Sequence, residues 1–180
     1  DLLRSLVGSE ICIRDRAMFD NWCSDPEVAK TVTWVPHPDV GSTRQLVSAW
    51  VKSYQNPSFY HWGIEMGGKL IGDISVVSHN EQQMTCEVGY CLSRAYWNQG
   101  IMTEALERVL QFLFADVGYR RIVLRHLVSN PASGRVIQKA GLKQEGIMRQ
   151  AIKNKQSVFE DLVCYAALRD EWLSTPLSAH

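Results

Sequence analysis

One stretch constrains this chain more than any other: a β-like run at residues 84–92 passes through a glycine-bearing loop into a long one-sided helix at 103–117. Leu106, Val109, Leu110, Leu113, Phe114 and Val117 recur at i, i+3, i+4 and i+7, so one helical face is apolar. Side chains of the preceding run alternate at period two. A strand and a one-sided helix joined so closely share a core when the helix lies on a sheet face, which points to a layered α/β arrangement. Gly118 is placed to end the helix.

The flanking sequence supplies the rest of the sheet. Residues 59–66 and 69–77 read as two strands joined by Gly67-Gly68, a pair that accepts the positive φ of a tight hairpin turn. Residues 122–128 form a β-branched strand, and 142–148 and 159–168 read as the closing strands. Asn130-Pro131 caps and opens a helix ending at Ala140 before Gly141, and Asp25-Pro26 starts a short helix to Lys30. Pro36 and Pro38 break the chain after that short helix, and residues 42–54 form an amphipathic helix behind a Ser42/Thr43 cap. Residues 11–14 alternate like a short strand. The expected fold class is α+β, a mixed α/β sheet layered with helices, as one domain over residues 1–180.

Composition bounds the function. With 46% hydrophobic and 21% charged residues, 180 residues can build one sizeable core, which excludes general disorder. Nineteen Lys and Arg balance nineteen Asp and Glu, so no global field draws the chain to nucleic acid or anionic lipid. No apolar run approaches the roughly 18 residues of a membrane span, and residues 1–16 lack the apolar region of a signal peptide. Five cysteines without a Cys-x-x-Cys pair point to reduced thiols, no metal site and a cytoplasmic location.

Three features carry chemistry. Gly100, at the mouth of the long helix, lets a ligand approach unpaired backbone N–H groups, a phosphate-binding arrangement; the loop is neither a Walker A nor a dinucleotide motif, and an ordinary strand-to-helix connection fits as well. Asn130 and Ser133 occupy the cap and first turn of the second long helix, where capping alone accounts for them or a ligand is met. Between Asn130 and Lys155 lie Arg135, Lys139, Lys143, Arg149, Lys153 and Lys155 against Glu145 alone, a solvated face or a partner for a peripheral nucleotide phosphate. Glu87 interrupts an apolar strand on the same face as Gly89 and Cys91, which makes it a general-base candidate or marks a wet face. The five histidines are scattered, and none accompanies a nucleophile elbow.

Taken together, Glu87 to Ala105 and Asn130 to Arg149 resemble the GNAT superfamily of acetyl-CoA-dependent N-acetyltransferases, of the RimJ/RimL type. The resemblance extends to Ser24-Asp25-Pro26-Glu27-Val28, Lys139-Ala140-Gly141-Leu142, Glu145-Gly146 and Glu160-Asp161-Leu162. It implies a GNAT acyl-CoA N-acyltransferase fold, with helices on both faces and fourth and fifth strands that splay apart around the pantetheine arm. The pyrophosphate loop falls on Trp97, Asn98, Gln99, Gly100, Ile101 and Met102, followed by Thr103, with Trp97 in place of a polar residue and Met102 in place of a small one. Cys91, Leu92 and Asn130 would hold pantetheine, and Ser133 and Lys139 join the cofactor contacts.

The implied reaction is attack of a primary amine on the thioester through a tetrahedral intermediate. Glu87 would be the base and Ser133 the acid, because Ile137 stands where many members carry a Tyr; Ile152 stands where the RimL-like enzymes place a Glu. Trp34, His37, Tyr60 and Trp62 are the candidate acceptor residues. A protein N-terminal amine of ribosomal-protein type is the first acceptor, with a polyamine or antibiotic, or a non-catalytic acetyl-CoA sensor, as alternatives. Expected partners are acetyl-CoA and the amine, without nucleic acid, metal or membrane; the sequence leaves oligomeric state open, a homodimer included.

Overall fold

Gly67 and Gly68 adopt φ of +58° and +76°, the paired positive values that a two-residue hairpin turn demands, and they join the first long antiparallel pair. The structure, a computed structural model, describes residues 3–5 and 11–175, with side chains from 15 to 175. These part into two compact units, one of residues 1–76 with 90–99 and one of 77–89 with 100–180.

The first unit contains β1 (Leu3–Ser5), α1 (Ile11–Met18), α2 (Pro26–Ala29), α3 (Val40–Ser53), β2 (His61–Met66), most of β3 (Lys69–Asn80) and the end of β4 (Thr85–Leu92). β2 pairs antiparallel with both β1 and β3. Met18, Trp22, Cys23, Val28, Val47, Leu70 and Cys91 form its buried cluster. Two expectations are corrected here. Residues 11–14 are helical, because four alternating residues do not decide a period and the segment continues without a breaker into buried Met18. The cap of α3 is Asp39, whose carboxylate accepts from Ser42 N at 2.8 Å, and not Ser42 or Thr43; Thr43 is instead fully buried within the helix. At α2 the expected arrangement holds, with Asp25 accepting from Glu27 N at 2.8 Å and Pro26 first in the helix.

The second unit holds the start of β4, α4 (Ile101–Phe112), β5 (Arg121–Leu127), α5 (Pro131–Lys139), β6 (Lys143–Lys153), β7 (Phe159–Leu168) and α6 (Arg169–Ser174). β4 runs parallel to β5, while β7 pairs antiparallel with β5 and with β6, so the sheet is mixed. The parallel pairing joins Thr85–Glu87 to Arg121–Val123 and goes no further, although both strands continue. Parting of the fourth and fifth strands begins at that point. Of the stripe expected over 103–117, Leu106, Val109 and Leu110 are buried in α4 and Leu113 and Phe114 in the π-helical turn that continues it to Val117, while Val117 is only partly buried; burying each such side chain contributes about 1.5–3 kcal/mol.

Boundaries move in this unit. β3 runs to Asn80 and not to 77, α4 starts at Ile101 and not at residue 103, and β6 runs to Lys153 and not to 148. The longer β6 depends on a bulge: Gln150 takes a positive φ of 51° and its N–H donates to Asp161 Oδ1 at 2.8 Å, after which pairing resumes at Ile152. α6 docks through Trp172, whose indole N–H donates to Ala140 O at 2.9 Å. Among the described residues no helix is long and apolar enough to cross a membrane.

Candidate functional site

In the second unit the mouth of α4 is built by Gly100, in the left-handed region at φ +80°. Its carbonyl accepts from Glu104 N at 3.1 Å, closing the first turn, and no side chain caps the helix. The N–H groups of Ile101, Met102 and Thr103 therefore lead the helix without intrahelical acceptors, at the positive end of its dipole. Ile101 and Met102 bury their side chains, so the large Met is accommodated by the core while its backbone N–H stays at the helix mouth. A Cβ built on Gly100 meets nothing within 4 Å, which leaves room for an anion against the main chain. This donor set fits the pyrophosphate of a coenzyme A thioester.

The second helix mouth is held by Asn130, whose Oδ1 accepts from Ser133 N at 3.3 Å with Pro131 first in the helix. α5 lies close to β5: a Cβ on Gly134 would sit 2.6 Å from His126 Nε2. His126 donates from Nδ1 to Leu127 O at 2.7 Å, and its ring stacks on Tyr165. Lys139 is exposed in the last turn of α5.

Glu87 does not stand alone on its strand. Arg125 of β5 clasps it in fork geometry, Nε to Oε1 at 2.8 Å and Nη2 to Oε2 at 2.5 Å, with side chains 35% and 20% exposed for Arg and Glu. Glu87 is the last β4 residue paired with β5, opposite Val123, and Arg125 lies two residues beyond. The ion pair therefore closes the parallel ladder where the strands part. The Arg125 guanidinium is pushed up by its hydrogen bond to Glu87.

In the first unit, Trp97 replaces the polar residue of the expected loop by bonding its own chain: the indole N–H donates to Leu92 O at 2.8 Å. Asn98 takes a positive φ of 59°, and Gln99 Nε2 donates to Ala95 O at 3.0 Å. Ser93 N donates to Ile71 O at 2.8 Å, and Gly72 abuts the main chain of Cys91 and Leu92 so closely that a Cβ would sit 2.5 Å from Cys91 O. Burial pushes the Cys91 thiol well above its usual range, with help from the Asp73 charge, and burial pushes Cys23 up to about 12. Both are neutral packing groups.

The aromatic candidates form two pairs in this unit. Trp34 and His37 rings lie 5.7 Å apart, and Tyr60 stacks on Trp62 at 6.0 Å. His37 bonds Thr43 Oγ1 through Nδ1 at 2.7 Å, and burial lowers its pKa despite the Asp39 charge. Trp34 and Trp97 also pack against the buried cluster. Cys91, Leu92, Trp97, Asn98 and Gln99 thus lie in the unit that carries these aromatics, whereas Glu87, Gly100 to Thr103, Asn130, Ser133 and Lys139 lie in the other.

Arg125 was not legible as the partner of Glu87, nor was the pairing of buried His61 with partly exposed Asp73 in the first unit. His61 Nε2 lies 3.1 Å from Asp73 Oδ2, with the His61 ring 3.9 Å from Trp50. The one signal for Arg125 was a charge on an apolar strand adjacent to the one that carries Glu87.

The family described as the acetyltransferase (GNAT) domain matches residues 9–143. Escherichia coli ribosomal-protein-serine acetyltransferase is 30% identical over 128 residues, covering 71% of each chain. Among solved structures, RimL, a ribosomal L7/L12 α-N-protein acetyltransferase in complex with coenzyme A, superposes with a TM-score of 0.78 at 22% identity, covering 92% of each chain. A Vibrio cholerae spermidine N-acetyltransferase chimera gives 0.75 at 17% identity, covering 96% of this chain and 98% of its own.

Proposed function

We propose, from the premise that this chain belongs to the GNAT acetyltransferases and uses acetyl-CoA, that its acceptor is a protein N-terminal amine of the kind presented by a ribosomal protein. The observation that carries the cofactor half is the uncapped mouth of α4 at Gly100. Bound there, acetyl-CoA supplies an activated thioester carbonyl. The N–H groups of Ile101, Met102 and Thr103 receive its pyrophosphate; Asn130 in one unit, and the main chain of Cys91 and Leu92 in the other, are each candidates to hold the pantetheine arm. Trp97 holds the Leu92 carbonyl in place. Lys139, exposed at the end of α5, offers a cation to a peripheral phosphate.

The acceptor arrives as an ammonium and must lose a proton before its nitrogen can attack. Glu87 takes that proton, directly or through water, and a strand N–H stabilises the oxyanion of the tetrahedral intermediate. Ser133 then protonates the departing thiolate and regains its proton from the acylated nitrogen, which gives up its second proton as the amide forms. Trp34, His37, Tyr60 and Trp62 form the acceptor side of the reading, which takes residues 1–180 as one domain and places the protein in the cytoplasm. The relative that acts on a ribosomal protein supports the choice of acceptor. Release of coenzyme A thiol from acetyl-CoA, measured with a panel of N-terminal peptides, polyamines and other amines, tests it. Turnover confined to polyamines overturns the acceptor assignment, and absence of acetyl-CoA binding by calorimetry overturns the loop assignment.

A further inference from the structure

The Glu87–Arg125 pair offers more than a carboxylate. A guanidinium has five N–H donors, and the clasp on Glu87 engages one on Nε and one on Nη2. Both N–H groups of Nη1 and the second of Nη2 have no acceptor among the described residues, and the side chain is about one-third exposed. The pair thus presents a carboxylate with spare lone pairs beside a cation with spare donors, at the point where β4 and β5 stop pairing.

Such a surface distinguishes amines by what stands next to the nitrogen. The terminal residue of a peptide carries its ammonium and its own carbonyl oxygen on adjacent carbons, a donor and an acceptor three bonds apart. Glu87 matches the first and the free N–H groups of Arg125 match the second. A polyamine has no acceptor to offer Arg125 and brings further ammonium groups toward its positive charge. The carboxylates of the neighbouring strands β6 and β7 are engaged: Glu145 with Arg121, Glu160 with Ser129 and Asn154, and Asp161 with the N–H of Gln150.

We infer that Arg125 is a specificity-determining residue that selects α-amino-carbonyl acceptors, the chemistry of a peptide N-terminus, over polyamines. The inference rests on the reading of Glu87 as the group that faces the acceptor amine. Arg125 donates to the acceptor carbonyl and keeps Glu87 oriented toward the ammonium. No bond to Arg125 forms or breaks in the reaction.

The test uses the full chain with acetyl-CoA and three acceptors: an N-terminal peptide, a monoamine of similar size lacking the carbonyl, and spermidine. Arg125→Gln should lower the ratio of peptide to monoamine kcat/KM by about tenfold or more, mainly through KM, and raise the relative use of spermidine. Arg125→Lys, which keeps the charge and loses the fork, should fall between the two and serves if the Gln variant melts early. An unchanged peptide-to-monoamine ratio in both variants overturns the inference. Glu87→Gln separates it from its premise: full activity in that variant removes Glu87 from the acceptor side and takes this inference with it. Loss of activity there, with Arg125 variants that keep the wild-type preference, refutes the Arg125 role alone.

Discussion

Gly72→Ala is the most demanding test of the packing that supports the proposed cofactor strand. A Cβ at that position would lie 2.5 Å from Cys91 O, 3.0 Å from Leu92 Cδ1 and 3.2 Å from Leu92 Cα. Two of the three neighbours are backbone atoms, so no rotamer change relieves the clash, and β3 must move away from the end of β4 by several tenths of an ångström. Overpacking of this kind costs about 1–3 kcal/mol, and backbone against backbone belongs at the upper end. For a chain of this length each kcal/mol lowers Tm by about 2–4 °C, so the expected loss is roughly 6–12 °C. Gly146→Ala is the matched control, because its Cβ meets nothing within 4 Å. Thermal melts of the wild type and both variants provide the stability readout. Titration with acetyl-CoA should show weaker binding for Gly72→Ala, because the displaced main chain is that of Cys91 and Leu92. A Gly72→Ala protein that melts with the wild type and the control would falsify the close approach.

Gly100→Ala should weaken acetyl-CoA binding well beyond the effect of Gly118→Ala: both glycines have positive φ and open space, so the second variant measures backbone strain of about 1–2 kcal/mol alone. Equal affinities for the two variants, read by calorimetry, remove the α4 mouth from the cofactor site. Ser133→Ala should cut kcat by roughly tenfold or more while leaving acetyl-CoA affinity close to wild type; unchanged turnover in the thiol-release assay returns Ser133 to helix chemistry. Burial pushes the thiols of Cys23 and Cys86 up to about 12, so near neutral pH both should resist iodoacetamide in the folded protein while half-exposed Cys164 reacts. Peptide mapping that finds Cys23 or Cys86 labelled as fast as in urea contradicts the burial.

How much of the fold was legible in the sequence depends on how far each signal reaches along the chain. The stripe from Leu106 to Phe114 repeats over several turns, and the Gly67-Gly68 turn needs only its two residues, so α4 and the β2–β3 hairpin could be located directly. Residues 11–14 offered four alternating positions, too few to separate a strand from the helix they form. The end of β6 depends on a bulge at Gln150 fixed by Asp161, eleven residues away, and no local pattern marks it. Gly100 was a weak signal as a single glycine and becomes informative once its positive φ and the uncapped N–H groups behind it are known.

Glu87 illustrates the same limit at the site itself. Its place on an apolar strand identified it, but its chemistry depends on a partner 38 residues later. That partner is determined only when Glu87 is set opposite Val123, which puts Arg125 one diagonal step away on the same face. Slipping the register by one residue would turn Arg125 to the other face and leave the carboxylate without its clasp. The choice between a lone base and a two-charge acceptor reader is thus made by strand register, and the ratio of peptide to monoamine turnover in Arg125→Gln is where that choice becomes measurable.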